Sequence, residues 1–276
     1  MKKALLTAII LSCICRLSAQ EKLFLVFEFM RVDNEQESIY METEDFWKKV
    51  HEQRVKNGDI IGWDLWRLQP GGEDQGYQYM TVNLYDDKVK MMSSGGDLDK
   101  ALKGAYPKLS EEELYEKFNQ TGKSRDLAVR LYLERLAQTE NTFEMPLGTV
   151  ASIDMMKATS GKYWEYENAE IEVFKPMHQR QVNDGSKGSW GFCRILVPSG
   201  SDNYASHITV NMFKDYNHMY NTVSPPGPEL SEAEQKAVSD GIEARDMKYT
   251  YMATLIRKVR WTARQLSAPV KLLVNF

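Results

Sequence analysis

Phe46 to Arg67 reads FWKKVHEQRVKNGDIIGWDLWR, and Phe174 to Arg194 reads FKPMHQRQVNDGSKGSWGFCR. Setting Trp47 against Phe174 aligns His51 with His178, Gly58 with Gly185, Trp63 with Trp190 and Arg67 with Arg194. After one inserted residue, Thr81-Val82-Asn83 meets Thr209-Val210-Asn211. The chain is written twice, and the repeat decides the architecture. Two similar modules are expected, over residues 20–147 and 148–276, each long enough to bury a core of its own.

Outward from this stretch, both copies show the same order of elements. Lys22 to Val32 is apolar and aromatic and reads as a buried strand, with Thr149 to Lys157 as its counterpart. Ser38 to Asn57 has helical spacing and stops at Gly58, a residue suited to the left-handed turn that ends helices. The helix stripe is Tyr40, Trp47, His51 and Val55 in the first copy, and Ile171, Phe174, His178 and Val182 in the second. Ile60 to Leu68 and Tyr77 to Tyr85 form a hairpin across Gln69-Pro70-Gly71-Gly72. Ser189 to Leu196 and Ala205 to Phe213 repeat it across Pro198-Ser199-Gly200. Irregular segments follow, each holding a short helix that opens on a capping box, at Ser110 and at Ser231. Asp126 to Leu136 and Asp246 to Lys258 close the copies as strands, with a helix as the alternative for the first. Arg125-Asp126 and Arg245-Asp246 mark the same point in each.

The order is βαββαβ, the ferredoxin-like unit. Its sheet leaves one face uncovered. Two units in tandem cover each other, so the expected fold is α+β: two ferredoxin-like modules forming a pseudo-dimeric barrel. A monomer suffices for closure, and a higher oligomer stays open. The tandem copy and the run helix–Gly–x–x–Gly–Trp–strand–hairpin–Thr-Val-Asn resemble the dimeric α+β barrel superfamily. That superfamily includes antibiotic-biosynthesis monooxygenases, NIPSNAP-like and EthD-like proteins and haem-handling barrels. The resemblance implies the fold and carries no catalytic signature, because one fold hosts many functions.

The ends bound where the protein works. Met1-Lys2-Lys3, the apolar run Ala4 to Cys15 and the small residues before Gln20 read as a secretory signal peptide over residues 1–19. Lipoprotein processing at Cys13 is the rival. An exported protein, periplasmic or extracellular, is expected. No later stretch is long and apolar enough to span a bilayer. Removing Lys2, Lys3 and Arg16 leaves 32 of the 35 basic residues against 39 acidic ones, so the net charge falls from −4 to −7. That balance argues against a nucleic-acid partner. Of three cysteines only Cys193 remains, on a predicted strand, so a buried thiol is expected and an intramolecular disulfide is impossible.

Strand alternation sorts candidate site residues by face. Met80, Val82 and Leu84 share one face of their strand, and the expectation is that it meets the helices. Tyr79, Thr81 and Asn83, matched by His207, Thr209 and Asn211, should then line the barrel with Glu28 and Asp154. Such a polar lining is either a closed hydrogen-bond network or a ligand cavity walled by Trp63, Trp66 and Tyr79. His51 and His178 stand at the same place on the helix stripe. Each is either a packed, hydrogen-bonded imidazole or a general base. Glu44 precedes His51 on the same face, and Ile171 stands in for it in the second copy, which leaves the first copy as the better candidate.

The candidate catalytic set is His51, Arg67 and Asn83. The candidate ligand-binding set is Trp63, Tyr79, Glu28, His178, Trp190, Arg194, His207 and Asn211. No carboxylate or second histidine stands at metal spacing, and no cofactor is specified. Three functional readings follow: a barrel that binds a small organic molecule, a cofactor-free oxygenase or isomerase using His51, and an interaction protein with a filled barrel.

Overall fold

A computed structural model describes residues 22–260. The leader and the strand-like tail Pro269–Phe276 lie outside the described residues. Each half supplies four antiparallel strands. In the first they are β1 (Phe24–Arg31), β2 (Gly62–Gln69), β3 (Tyr79–Tyr85) and β4 (Asp126–Gln138). In the second they are β5 (Val150–Ala158), β6 (Ser189–Val197), β7 (His207–Phe213) and β8 (Arg245–Arg260). The sheets run β4-β1-β3-β2 and β8-β5-β7-β6, and the seams β2–β8 and β4–β6 close them into one barrel. The closing segments are strands in both copies, which settles the alternative for Asp126–Leu136.

Helix α1 (Glu37–Asn57) covers the outer face of the first sheet. It ends where Gly58 turns left-handed, at φ 76°, and returns its N–H to Arg54 O and Val55 O. α2 (Lys88–Met92) packs against β1 and β3, and α3 (Leu98–Ala105) and α4 (Glu111–Ser124) pack on α1. Both α4 and α8 open on the expected capping boxes. In the second half the elements are α5 (Tyr163–Asn168), α6 (Lys175–Asn183), α7 (Tyr216–Asn221) and α8 (Glu232–Glu243).

Two expectations are corrected by the packing. The first concerns the faces. All eight strands turn their apolar side inward, and Phe27, Trp66, Met80, Leu133, Ile153, Cys193, Ile208 and Ala253 meet in one buried cluster. The polar side, with Glu28, Thr81 and Asn83, lies under the helices instead. Period-two alternation defines two faces and does not say which points inward. The barrel interior is walled by strands on every side, so burying the apolar face there is favoured by roughly 25 cal/mol per Å². Cys193 is buried there as expected, and burial pushes its thiol up to about 12.

The second correction concerns the helix of the second copy. α5 and α6 are joined by a π-helical turn, Ala169–Phe174, which accommodates one extra residue. Tyr40 and Tyr166 are therefore 126 residues apart, whereas His51 and His178 are 127 apart. The counterpart of Glu44 is Glu170 and not Ile171. Each carboxylate is paired across the half with the arginine that opens the closing strand, Glu44 with Arg125 and Glu170 with Arg245.

Candidate functional site

In the first half, α1 and the polar face of the sheet enclose a cleft of about 270 Å³. α1 contributes Glu44, Trp47, His51 and Arg54, all on one side because residues three and four apart stack on a helix. The strands contribute Glu28, Trp63, Thr81, Asn83 and Arg130. Ser94-Gly95-Gly96 forms part of the wall, each at positive φ. A Cβ at Gly96 would lie 2.1 Å from Asp59 Oδ1, so the chain passes Asp59 only as glycine.

His51 stacks on Trp63 with ring centroids 4.9 Å apart. Its Nδ1 lies 3.3 Å from the Arg54 guanidinium, which can only donate, so the ring proton belongs on Nε2. Burial, then Arg54 and Arg125, hold the imidazole well below its ordinary range, and it is neutral. Glu28 accepts from Thr81 and Arg130. Glu44 is fully buried, which raises its pKa, and the paired Arg125 opposes that rise. Arg54 donates to Ser94 O at 2.6 Å. Asn83 Oδ1 is buried and has no hydrogen-bond partner.

The second half has the same frame with a different filling. His178 stacks on Trp190, again at 4.9 Å. Lys187 joins helix and sheet through its ammonium, 2.8 Å from His178 Nδ1 and 2.7 Å from Asn211 Oδ1. Asn211, Thr209, Thr250 and Ser152 all donate to Asp154. The network is closed. Burial and the adjacent Lys187 charge lower His178 to about 3, and burial lowers Lys187 to about 8.

The remaining candidates gather at the other end of the helices. Arg67 and Tyr79 both reach Glu37, near the solvent and away from His51. Burial, assisted by Glu37, raises Tyr79 to about 12. Arg67 is therefore not a neighbour of His51 and Asn83. Alternation left its side open, and its ion pair at the start of α1 decided it. Arg194 and His207 share Glu167, with Arg194 bidentate at 2.7 and 2.6 Å and His207 Nε2 at 3.0 Å. The acid has moved one helical turn between copies, from Glu37 to the position matching Met41.

The structure thus brings His51, Trp63, Asn83 and Glu28 together, and separately His178, Trp190 and Asn211. Sequence reasoning missed Arg54, Arg125 and Lys187. Setting Ile60 against Lys187 was the available signal, because a lysine on a repeat position that is otherwise apolar needs partners. The Pro225-to-Pro228 loop lies against Met177 and Arg180, outside the His178 frame.

No protein-family model matches the chain, and no curated relative matches it. Solved structures do resemble it. A candidate monooxygenase from Lactobacillus acidophilus NCFM is 8% identical with a TM-score of 0.52, covering 88% of this chain and 97% of its own. An anthrone oxidase-like protein is 12% identical with a TM-score of 0.50, covering 92% and 98%. A mutant chlorite dismutase from Candidatus Nitrospira defluvii is 10% identical with a TM-score of 0.51, covering 85% and 92%. At such identities the likeness establishes the fold, the dimeric α+β barrel. Haem, implied by the resemblance to haem-handling barrels, does not fit the cleft as built. The His51 Nδ1 lone pair faces Arg54 and Nε2 carries the proton, so the imidazole has no free lone pair for iron. Among the described residues no group of three or more His, Cys, Asp or Glu could hold a metal ion, and no helix is long and apolar enough to cross a membrane.

Proposed function

We propose that the chain, after export, binds a small organic molecule in the α1 cleft of its first half. The unpaired, buried Oδ1 of Asn83 carries this reading. An open acceptor in such a place costs about 1–3 kcal/mol, and a ligand hydroxyl or N–H would satisfy it. The same atom in the second half, Asn211 Oδ1, is satisfied by Lys187. Arg54 adds a buried positive charge whose contacts to Ser94 O and His51 Nδ1 are neutral, so an electron-rich or anionic oxygen on the ligand is favoured beside it. Trp47 and Trp63 supply flat apolar walls.

Base catalysis by His51 fits this geometry less well. A buried imidazole with its pKa well depressed and Nδ1 already accepting is a hydrogen-bond donor through Nε2 and a poor proton acceptor. Export rests on the leader at residues 1–19, and division into modules at 147/148 rests on the repeat.

The test is native mass spectrometry after incubation with a small-molecule extract of the source cells. A retained mass is expected on the wild type and not on Asn83→Leu, with both proteins folded by circular dichroism. A bare mass on both, or the same retained mass on both, rules the cleft out as the site.

A further inference from the structure

A second cavity lies inside the barrel, on the opposite face of the sheet from the α1 cleft, and measures about 630 Å³. Protein interiors contain few voids larger than a water molecule, so a space of this size is a built feature. Its walls are the inward apolar side chains of the strands, among them Leu25, Phe27, Val82, Ile153, Val210 and Met212. Val210 and Met212 pack on the core and are still only partly buried, because the cavity borders them. Past the wall residues Phe27, Trp66 and Met80 the barrel is filled: Phe29, Tyr77 and Tyr251 pack ring on ring, with centroids 4.8 to 6.1 Å apart, and the two tyrosine hydroxyls are hydrogen-bonded.

The other end is charged. Arg135, Lys258 and Arg260 stand at this mouth with Asp64 and Glu144. Asp64 is taken by Arg260, at 2.6 Å. Lys258 Nζ donates to the backbone carbonyl of Met145 at 2.6 Å, and Arg135 donates to the Gln138 amide at 2.5 Å. Residues 142–145 of the β4–β5 connection lie over the opening. Phe143 packs on Gly188 so closely that a Cβ there would come within 2.4 Å of its ring. The result is an apolar tube with, at its charged end, a lysine whose hydrogen bond goes to a neutral backbone carbonyl. From Leu23 to Phe27, both on the wall, is four residues, roughly 13 Å of extended chain.

We propose that this lumen is a second ligand site, for a single-chain fatty acid of medium length. The alkyl tail lies between the sheets and stops at the aromatic plug. The carboxylate sits at the mouth, where Lys258 donates to it. Lys258 at the end of an apolar tube selects this class: a neutral hydrocarbon has no use for the ammonium, and a bulky polar molecule has no partners along the apolar walls. The site is independent of the α1 cleft.

Isothermal titration of the full chain with decanoate and with decanol tests it. Decanoate is expected to bind one to one, and decanol about tenfold more weakly, the difference one charge-assisted hydrogen bond makes. Lys258→Gln should bring decanoate down to the level of decanol. Val210→Trp fills the tube and should abolish both. Should that variant fail to fold, Met212→Trp fills the same space nearer the mouth. Asn83→Leu should leave decanoate binding unchanged, which separates this site from the α1 cleft. The proposal is overturned if the wild type binds neither compound, or if a folded filling variant binds decanoate as before. Equal binding of both compounds, untouched by Lys258→Gln, overturns the carboxylate assignment. Loss of decanoate in Asn83→Leu would place it in the cleft instead.

Discussion

Ile60 and Lys187 hold the same position in the two halves, two residues after the glycine that ends the helix. Ile60 is buried among Val55, Trp63 and Tyr85, and the cleft beside it stays open. Lys187 crosses the equivalent space and bonds both the histidine and the asparagine. The histidine–tryptophan stack is identical in the two, so the stack belongs to the frame. What differs is the filling. A duplicated site can thus be kept open in one copy and turned into a self-satisfied network in the other by one side chain. The retained histidine pair marks packing common to both halves, and function is to be sought where the copies depart from each other.

Acid should weaken both halves, because His51 and His178 are both held neutral by burial and neighbouring cations. His178 titrates near 3 in the fold and near 6.5 when unfolded, so between these values the unfolded chain binds the extra proton. Stability is therefore intact above 6.5 and falls as pH drops towards 3. Urea unfolding at pH 7 and pH 4 should show about 3 kcal/mol of loss that His178→Gln removes, since the amide oxygen still accepts from Lys187. A variant with the same pH slope as the wild type would mean that His178 is not held neutral.

Removing the ammonium is next in size. Lys187→Met leaves Asn211 Oδ1 and His178 Nδ1 without their donor, and should cost about 2 kcal/mol by denaturant unfolding. No loss would show that the closed network is not a source of stability.

The converse exchange, Ile60→Lys, brings the plug to the first half. It should weaken retention of the cleft ligand at least about tenfold in native mass spectrometry, while the far-ultraviolet circular dichroism stays that of the wild type. Undiminished retention would separate the ligand from Asn83.

The smallest effect is expected at Arg67. Its side chain is 51% exposed and paired with an equally exposed Glu37, so Arg67→Ala should cost under about 0.5 kcal/mol and leave the cleft untouched. A loss of retained ligand in Arg67→Ala would return Arg67 to the site.

Much of this was legible in the residues. Gly58 stops α1 because only a residue free of Cβ strain turns left-handed at no steric cost, and Ser110 and Ser231 cap their helices through the serine hydroxyl and the glutamate three residues on. His51, Trp63 and Asn83 were legible as candidates from their repeated positions. Arg54 was not, because an arginine in the last turn of a helix reads equally well as a solvent-facing residue favoured by the helix dipole. Glu170 was hidden by the π turn: an ungapped alignment through a one-residue insertion rotates every residue before it by about 100°.

By itself the sequence determined the duplication and the βαββαβ order, because these follow from local periodicity, caps and turns, and an uncovered sheet face in each copy pointed to closure. Only the tertiary structure decided which face of the sheet is inside, which arginine meets which acid, and which of two matching clefts stays open. Those outcomes depend on what a side chain finds across the interface after the elements have packed, and neither spacing along the chain nor likeness between the copies carries that information.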